Sequence, residues 1–200
     1  MNNIPMPYTR VVPSSRGKRT FAAALVGAGA MLALSAVEAG ATELFLKFPG
    51  VTGESLNSRH RDEIELKAFT TSASNTATNA GGGGGGVGRA LCGQVTVVKL
   101  IDRASPKLLG LMFSGAHTGG PVTVTFEKTS GESLLDYYKV DLFNVQVTSI
   151  AQSDSETDII RETVTLRATQ FKYTYTPQNP SGSPGSPVTF SWDCNRNAAF

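Results

Sequence analysis

Strict alternation of apolar and polar residues constrains the fold of this chain more than any other feature. Val122, Val124 and Phe126 alternate with threonine and glutamate, and residues 63–68 alternate in the same way. A period of two places successive side chains on opposite faces of an extended strand. Turn residues such as Pro49-Gly50 separate the alternating segments. The pattern predicts a mainly β domain built from short antiparallel strands.

Two of the longer apolar segments change face along their length. The odd–even pattern switches at Leu142-Phe143, and it switches again between Ala168 and Phe171. Phe69 breaks the alternation of an earlier segment in the same way. A β-bulge at the switches in the two long segments would bend each strand while keeping its apolar side chains on one face. Bent strands favour closure, so we predict a compact antiparallel β-barrel.

One short helix interrupts the strands. Ser105-Pro106 supplies a capping hydroxyl and a proline at the first helical position, and Gly115 stands where a left-handed stop is expected. The residues between are almost wholly apolar. We therefore expect this helix to plug the core or one end of the barrel.

Residues 1–41 have the pattern of an export signal. A basic stretch at 16–19 precedes an uncharged run rich in alanine, leucine and valine, which ends at Ala39-Gly40-Ala41. Small residues at that place fit signal-peptidase cleavage. A membrane span is the competing interpretation, and a start at Met31 is a third, which would keep the chain in the cytoplasm. The domain organisation is a signal-like segment, 1–41, followed by a β-barrel domain, 42–200.

A low-complexity stretch runs from Thr70 to Gly88. It contains the consecutive glycines Gly81, Gly82, Gly83, Gly84, Gly85 and Gly86. Such a stretch has almost nothing to bury, so we expect a long glycine-rich loop between strands. The run superficially resembles a phosphate-binding loop, but Arg89 and Ala90 replace the required lysine and hydroxyl residue, and a strand follows in place of a helix.

Composition excludes several functional classes. Four of the 18 basic residues but only one of the 16 acidic residues lie in segment 1–41, which leaves the barrel domain nearly neutral. A neutral domain gives no electrostatic reason to expect nucleic-acid binding. Neither Ser55 nor Ser105 has a nucleophile-elbow context. His60 and His117 have no sequence neighbours that suggest a metal site. We therefore expect no enzyme, no cofactor and no metal.

Cys92 and Cys194 are the only cysteines. In an exported chain they are a candidate disulfide, which would stabilise the fold by about 3–5 kcal/mol through loop entropy. Two independent reduced thiols are an equally good interpretation from sequence alone.

The order of these parts resembles the Hcp (haemolysin-coregulated protein) family of bacterial type VI secretion. The segments that carry the resemblance are ELFLK at 43–47, GES at 53–55, HRDEI at 60–64, IDRASPKL at 101–108, ETVTL at 162–166, FKY at 171–173, and Trp192. The resemblance extends from about Thr42 to Asn197, essentially the whole barrel domain.

This resemblance implies a homohexameric ring of barrels that stacks ring on ring into the inner tube. It also implies sheath and spike components and small effector proteins as partners, with effectors held in the lumen. Thr70 matches a polar lumen residue of the family and is the expected cargo contact. The loop that carries Gly81–Gly86 is the expected ring-stacking element.

We therefore expect a secreted tube subunit, for which the signal-like segment suggests periplasmic export. A cytoplasmic location before secretion is the alternative localisation. The alternative is an Hcp-like binding module that the signal segment exports to the periplasm or outside the cell, where it is not part of a tube.

Overall fold

The computed structural model describes residues 42–76, 88–130, 133–154 and 160–200. These contain nine strands and one helix. The strands are β1 (Glu43–Lys47), β2 (Ile64–Asn75), β3 (Ala90–Leu100), β4 (Val122–Ser130), β5 (Ser133–Phe143), β6 (Gln146–Ser153), β7 (Arg161–Arg167), β8 (Gln170–Tyr175) and β9 (Val188–Asp193), and the helix is α1 (Ser105–Ser114). Segment 1–41, with its predicted signal, lies outside the described residues. No helix in the described ranges is long and apolar enough to cross a membrane.

The strands form one antiparallel sheet in the order β6-β7-β3-β2-β1-β4-β5-β8-β9. Val147 of β6 and Phe171 of β8 stand far apart in this order, yet both belong to the same buried core. The sheet must therefore curl around its apolar face, as barrel sheets do. The predicted mainly β fold with one short helix is confirmed, with the qualification that β6 and β9 remain edges among the described strands.

The predicted bulges in the two long segments are wrong. The chain turns a corner at Asn144, whose φ of 53° lies in the left-handed region, between the end of β5 and the start of β6. β5 pairs with β4 and β8, whereas β6 pairs with β7. The second switch is likewise the short connection between β7 and β8. Each apparent parity change thus separates two strands that lie in different parts of the sheet.

Bulges occur elsewhere. The pairing of β2 with β3 shifts register between Leu66 and Ala68, which explains why Phe69 leaves the earlier alternation. A second shift follows Thr71. There a Cβ on Gly93 would lie 2.1 Å from the Ser72 hydroxyl oxygen. Only glycine therefore fits at this point of β3 without movement of its neighbour.

The predicted loop from Thr70 to Gly88 is too long. β2 continues to Asn75, and Thr76 and Arg89 are joined by hydrogen bonds beyond the strand ends. β3 begins at Ala90, which confirms that a strand follows the glycine run. Gly81–Gly86 lie outside the described residues.

The helix forms where it is predicted, but its cap differs. Ala104 is the N-cap and no side chain caps the helix, because the Ser105 hydroxyl bonds to buried charged groups instead. Gly115 ends the helix in the left-handed conformation, with φ 64°. Of the helical side chains only Ser105 and Leu108 are buried, and Phe113 is 81% exposed. Leu108 belongs to the buried core, and Leu111 and Met112 pack against it while the helix contacts β6. The helix therefore covers part of the core with one face and exposes the other.

Candidate assembly interface

The outer edge of β9 is the most apolar edge of the described sheet. Val188 is 67% exposed and Phe190 is 55% exposed, and Phe190 stacks on Trp192 with 6.2 Å between the ring centroids. Asp193 at the end of β9 pairs with Ala198 of the C-terminal tail, and no other described strand pairs with this edge. An uncovered edge presents backbone donors and acceptors that can pair with another chain. Soluble monomers usually shorten, charge or cover such an edge. β9 is therefore suited to contact a second protein.

A second apolar surface lies on the helix. Pro106, Gly110 and Phe113 are all exposed and follow one another at helical spacing, so they share one face of α1. No charged side chain interrupts this row. Scattered exposed apolar residues are ordinary on a protein surface. Gly110, however, has no side chain, so a side chain of a partner protein could pack beside the exposed ring of Phe113.

Thr70 lies on strand β2, where it pairs with Thr96 of β3. Thr70 and Ser72 are both exposed, so this face of the strand carries small hydroxyl side chains. The predicted cargo residue is therefore accessible and polar. No described contact links it to a ligand.

Cys92 and Cys194 are joined by a disulfide, with their Cα atoms 6.1 Å apart. Cys92 stands near the beginning of β3, and Cys194 directly follows β9. β3 and β9 are not neighbours in the sheet. The bond therefore spans two parts of the curled sheet that no strand ladder connects.

An apolar groove of about 250 Å³ lies beside this disulfide. One wall consists of residues 72–73 of β2 and 90–92 of β3, which we call the root of the β2–β3 hairpin. The other wall is the aromatic surface of β8 and β9. Its lining consists of Ser72, Ala73, Ala90, Cys92, Phe171, Tyr173, Phe190 and Trp192. The indole N–H of Trp192 is buried and has no hydrogen-bond partner.

A buried ion pair ties β3 to β7. The Lys99 ammonium lies 2.7 Å from a Glu162 carboxylate oxygen and 2.8 Å from Asp102, and the Lys99 and Glu162 side chains are both fully buried. Ser105 and Gln152 complete the hydrogen bonding of Glu162. Burial alone would raise the pKa of Glu162, but the hydrogen bonds from Lys99, Ser105 and Gln152 outweigh it, so this pKa lies below its ordinary value.

A sequence signal for this pair existed. Lys99 continues the inward parity of Val95 and Val97, and Glu162 continues that of Val164 and Leu166. Opposite charges at inward-facing positions of two apolar strands predict a buried ion pair, because burying a single unpaired charge costs too much free energy.

His60 lies at the centre of a second polar cluster. It is 5% exposed and stacks on Phe45 with 4.3 Å between ring centroids. Its Nδ1 is 3.0 Å from Glu63, and its Nε2 is 3.3 Å from Asp136 and 3.7 Å from Glu127. Sequence reasoning placed Glu127 on a polar strand face. Asn57, Arg59 and His60 contact its carboxylate there, and Glu127 is only 1% exposed. The register shift in β5 places Asp136 opposite Glu127.

The fold brings partners of metal-ligating type to His60 that its sequence neighbours do not suggest. His60, Glu127 and Asp136 bring one ligand-type atom each to within 4.8 Å of one another. Arg59, however, lies 2.9 Å from Asp136 and 3.4 Å from Glu127, so a guanidinium cation already neutralises these carboxylates. The cluster is best described as a structural ion-pair network.

Asp136 shows the electrostatic balance of this network. Burial would raise its pKa, but the hydrogen bond and charge of Lys139, whose ammonium is 2.8 Å away, act in the opposite direction. The charge of Arg59 and the hydrogen bond of His60 add to that effect. The pKa of Asp136 consequently lies below its ordinary value, which keeps the carboxylate ionised.

Comparison with known proteins decides the family. The family model described as "Type VI secretion system effector, Hcp" matches residues 45–175. The chain is also 32% identical over 159 residues to Protein hcp1 of Pseudomonas aeruginosa, which covers 78% of this chain and 98% of that protein. The chain belongs to the Hcp family. The resemblance inferred from the sequence motifs is thus confirmed.

Solved structures agree with the Hcp assignment. Hcp1 of Salmonella typhimurium aligns with a TM-score of 0.67 at 27% identity, covering 80% of this chain and 99% of that one. A type six secretion system protein aligns with a TM-score of 0.74 at 24% identity over 80% of this chain and 100% of that one, a likeness of fold. Hcp proteins are secreted components of type VI systems, and the fold described above is theirs.

Proposed function

We propose that this Hcp protein is a non-catalytic subunit of the type VI inner tube, which forms homohexameric rings that stack and carry small effectors in the lumen. The observation that carries the proposal is the apolar edge of β9 on a domain of this family, which no other described strand covers and which the C-terminal tail pairs with at Asp193. An edge that is an aggregation hazard in a monomer is a ready interface in an assembly.

Ring closure requires two different surfaces that fit each other. A head-to-tail contact repeats until the rotation closes, so each subunit needs one donor and one acceptor surface. β9 supplies an apolar edge, whereas β6, the other edge, carries mostly small polar residues. The unlike character of the two edges suits a head-to-tail contact better than a two-fold dimer.

The exposed hydroxyl face of β2 supports the lumen role proposed for Thr70. Small hydroxyl side chains offer neutral hydrogen bonds of modest net strength, which suits a carrier that must release its cargo. Stacking is assigned to the segment that contains Gly81–Gly86. We expect deletion of these six glycines to leave rings intact and abolish tubes; unimpaired tubes would disprove the stacking role. Sheath and spike components are the expected outer partners.

The ring proposal is tested by placing charge on the β9 edge. Phe190→Lys should convert annular particles into free subunits, because the lysine must be desolvated in the contact. Negative-stain electron microscopy and sedimentation of the protein as the cell accumulates it provide the measurement. Ser186→Lys adds the same charge to the preceding loop and should leave the rings intact. Equal assembly of both variants would exclude β9 from the contact.

A second function, an exported Hcp-like binding module that is not part of a tube, is favoured by the disulfide, since such bonds persist in oxidising compartments. The signal-like segment 1–41 supports the same alternative. Mass spectrometry of the native N-terminus separates the two candidates. A chain that starts near Thr42 indicates export, and one that starts near Met31 indicates a cytoplasmic tube subunit.

A further inference from the structure

The β2–β3 hairpin and the β9 edge strand meet without a strand ladder. β9 pairs with β8 alone, and β3 pairs with β2 and β7. Among the described residues, two links connect the hairpin to the C-terminal segment. One is the Cys92–Cys194 disulfide, and the other is a hydrogen bond of 2.9 Å from the Ala90 N–H to the Asn197 side chain.

The space between these two parts is a groove and not a packed core. The groove of about 250 Å³ separates the hairpin residues Ser72 and Ala73 from the aromatic rings of β8 and β9. Few apolar contacts therefore hold the hairpin root against β9. Segments held by few buried contacts open locally at low free energy, so the covalent bond contributes most of the restraint here.

We propose that the Cys92–Cys194 disulfide is a redox clamp that fixes the root of the β2–β3 hairpin against β9. This part of the inference is independent of any assembly. Its consequence rests on the proposed function: the hairpin carries the glycine segment assigned to ring stacking. A fixed root lowers the entropy that the described ends of the hairpin lose on contact with a neighbouring ring. Oxidised rings should therefore stack more readily than reduced rings.

The chemistry of the clamp is thiol–disulfide exchange. The thiolate of one cysteine attacks a small-molecule disulfide and releases one thiolate of that reagent. The second cysteine, as its thiolate, then attacks the mixed disulfide and releases the other. One disulfide is formed in the protein and one is reduced to two thiols, with the two cysteine protons passed to solvent or to the released thiolates. Oxidised glutathione is the reagent used in the test.

Hydrogen exchange on the oxidised and the chemically reduced protein tests the clamp directly. Reduction should speed amide exchange roughly tenfold or more at residues 90–94 and 188–194. Exchange in β1 and β4, which belong to the central core, should speed up only through the loss of global stability and therefore by a smaller factor. Oxidised glutathione should restore the original protection. A Cys92→Ser/Cys194→Ser variant, which cannot be oxidised, should resemble the reduced protein under both conditions.

Two results would overturn the clamp. Unchanged exchange at 90–94 and 188–194 after complete reduction would show that the bond restrains nothing. Equal acceleration in β1 and β4 would show that it holds the whole fold and not one junction.

Electron microscopy of the same samples tests the consequence for stacking. Longer tubes from oxidised than from reduced rings support it, and equal tube lengths contradict it. If annular particles form in neither state, the proposed function fails, while the exchange result still decides the clamp.

Discussion

Two regions of this Hcp domain are held together by different physical means. At the ends of β3 and β7 the buried pair of Lys99 and Glu162 joins neighbouring strands through charge and hydrogen bonds. At the C-terminal edge β9 has an exposed apolar surface, and a disulfide restrains its end. The first region is satisfied within the protomer. The second retains surface that another molecule can cover, which is the expected property of an assembly edge.

Breaking the charge-held region should have the largest effect on stability. Lys99→Met leaves the Glu162 carboxylate buried without its counter-charge and should lower the free energy of unfolding by about 3–5 kcal/mol. Urea denaturation provides the measurement. The double variant Lys99→Met/Glu162→Leu should recover most of that loss, because the unpaired charge is then absent. A single variant as stable as the parent would disprove the importance of the pair.

Breaking the covalently held region should have a smaller effect on unfolding. Cys92→Ser/Cys194→Ser should lower the free energy of unfolding by about 2–4 kcal/mol. This is less than the loop-entropy estimate of about 3–5 kcal/mol for a separation of 102 positions, because the unfolded chain retains residual structure. The same urea titration of the parent in reductant is the matched control and should coincide with the variant. A larger loss than that of Lys99→Met would reverse the comparison.

Acid tests the contribution of the buried carboxylates. The pKa values of Glu162 and Asp136 lie below their ordinary values of 4.5 and 3.8. A carboxylate with a depressed folded-state pKa stabilises the fold above its ordinary pKa, and this stability is lost as pH falls toward the folded pKa. Stability should therefore fall below about pH 5 with a slope approaching about 1.4 kcal/mol per pH unit per carboxylate. The Lys99→Met/Glu162→Leu variant should show a shallower slope than the parent in urea titrations across this range. An unchanged slope would remove Glu162 from the acid response.

The smallest effect is expected on the exposed helix face. Phe113→Ser should change the free energy of unfolding by less than about 0.5 kcal/mol, because this side chain is 81% exposed. Thermal unfolding measures the change. Leu108→Ser, on the buried side of the same helix, is the matched control and should be strongly destabilising. A large loss for Phe113→Ser would mean that the ring already packs within the protomer.

The fold was largely readable from the alternation of residues, but its strand junctions were not. β5 and β6 appear in sequence as one long strand, since Asn144 and its neighbours interrupt the apolar pattern by only a single parity change. A bulge and a corner produce the same odd–even switch. Pairing partners distinguish the two, and these depend on contacts between residues distant in sequence.

The polar sites were predictable to different degrees. Lys99 and Glu162 could be identified from parity, since both stand in line with valines that point inward. The cluster around His60 could not, because the segment that precedes β2 covers Glu127 and a register shift in β5 places Asp136 opposite it. The disulfide left two interpretations open, since sequence gives no distance between β3 and the end of β9.

Ring formation is the central claim, and the mass of the native particle tests it most directly. Native mass spectrometry should be applied to the protein as the cell accumulates it, under oxidising conditions and near neutral pH. The expected species has six times the protomer mass, and electron microscopy of the same sample should show annular particles. A species of one protomer mass that persists at high concentration would contradict the ring and leave a monomeric relative with the Hcp fold.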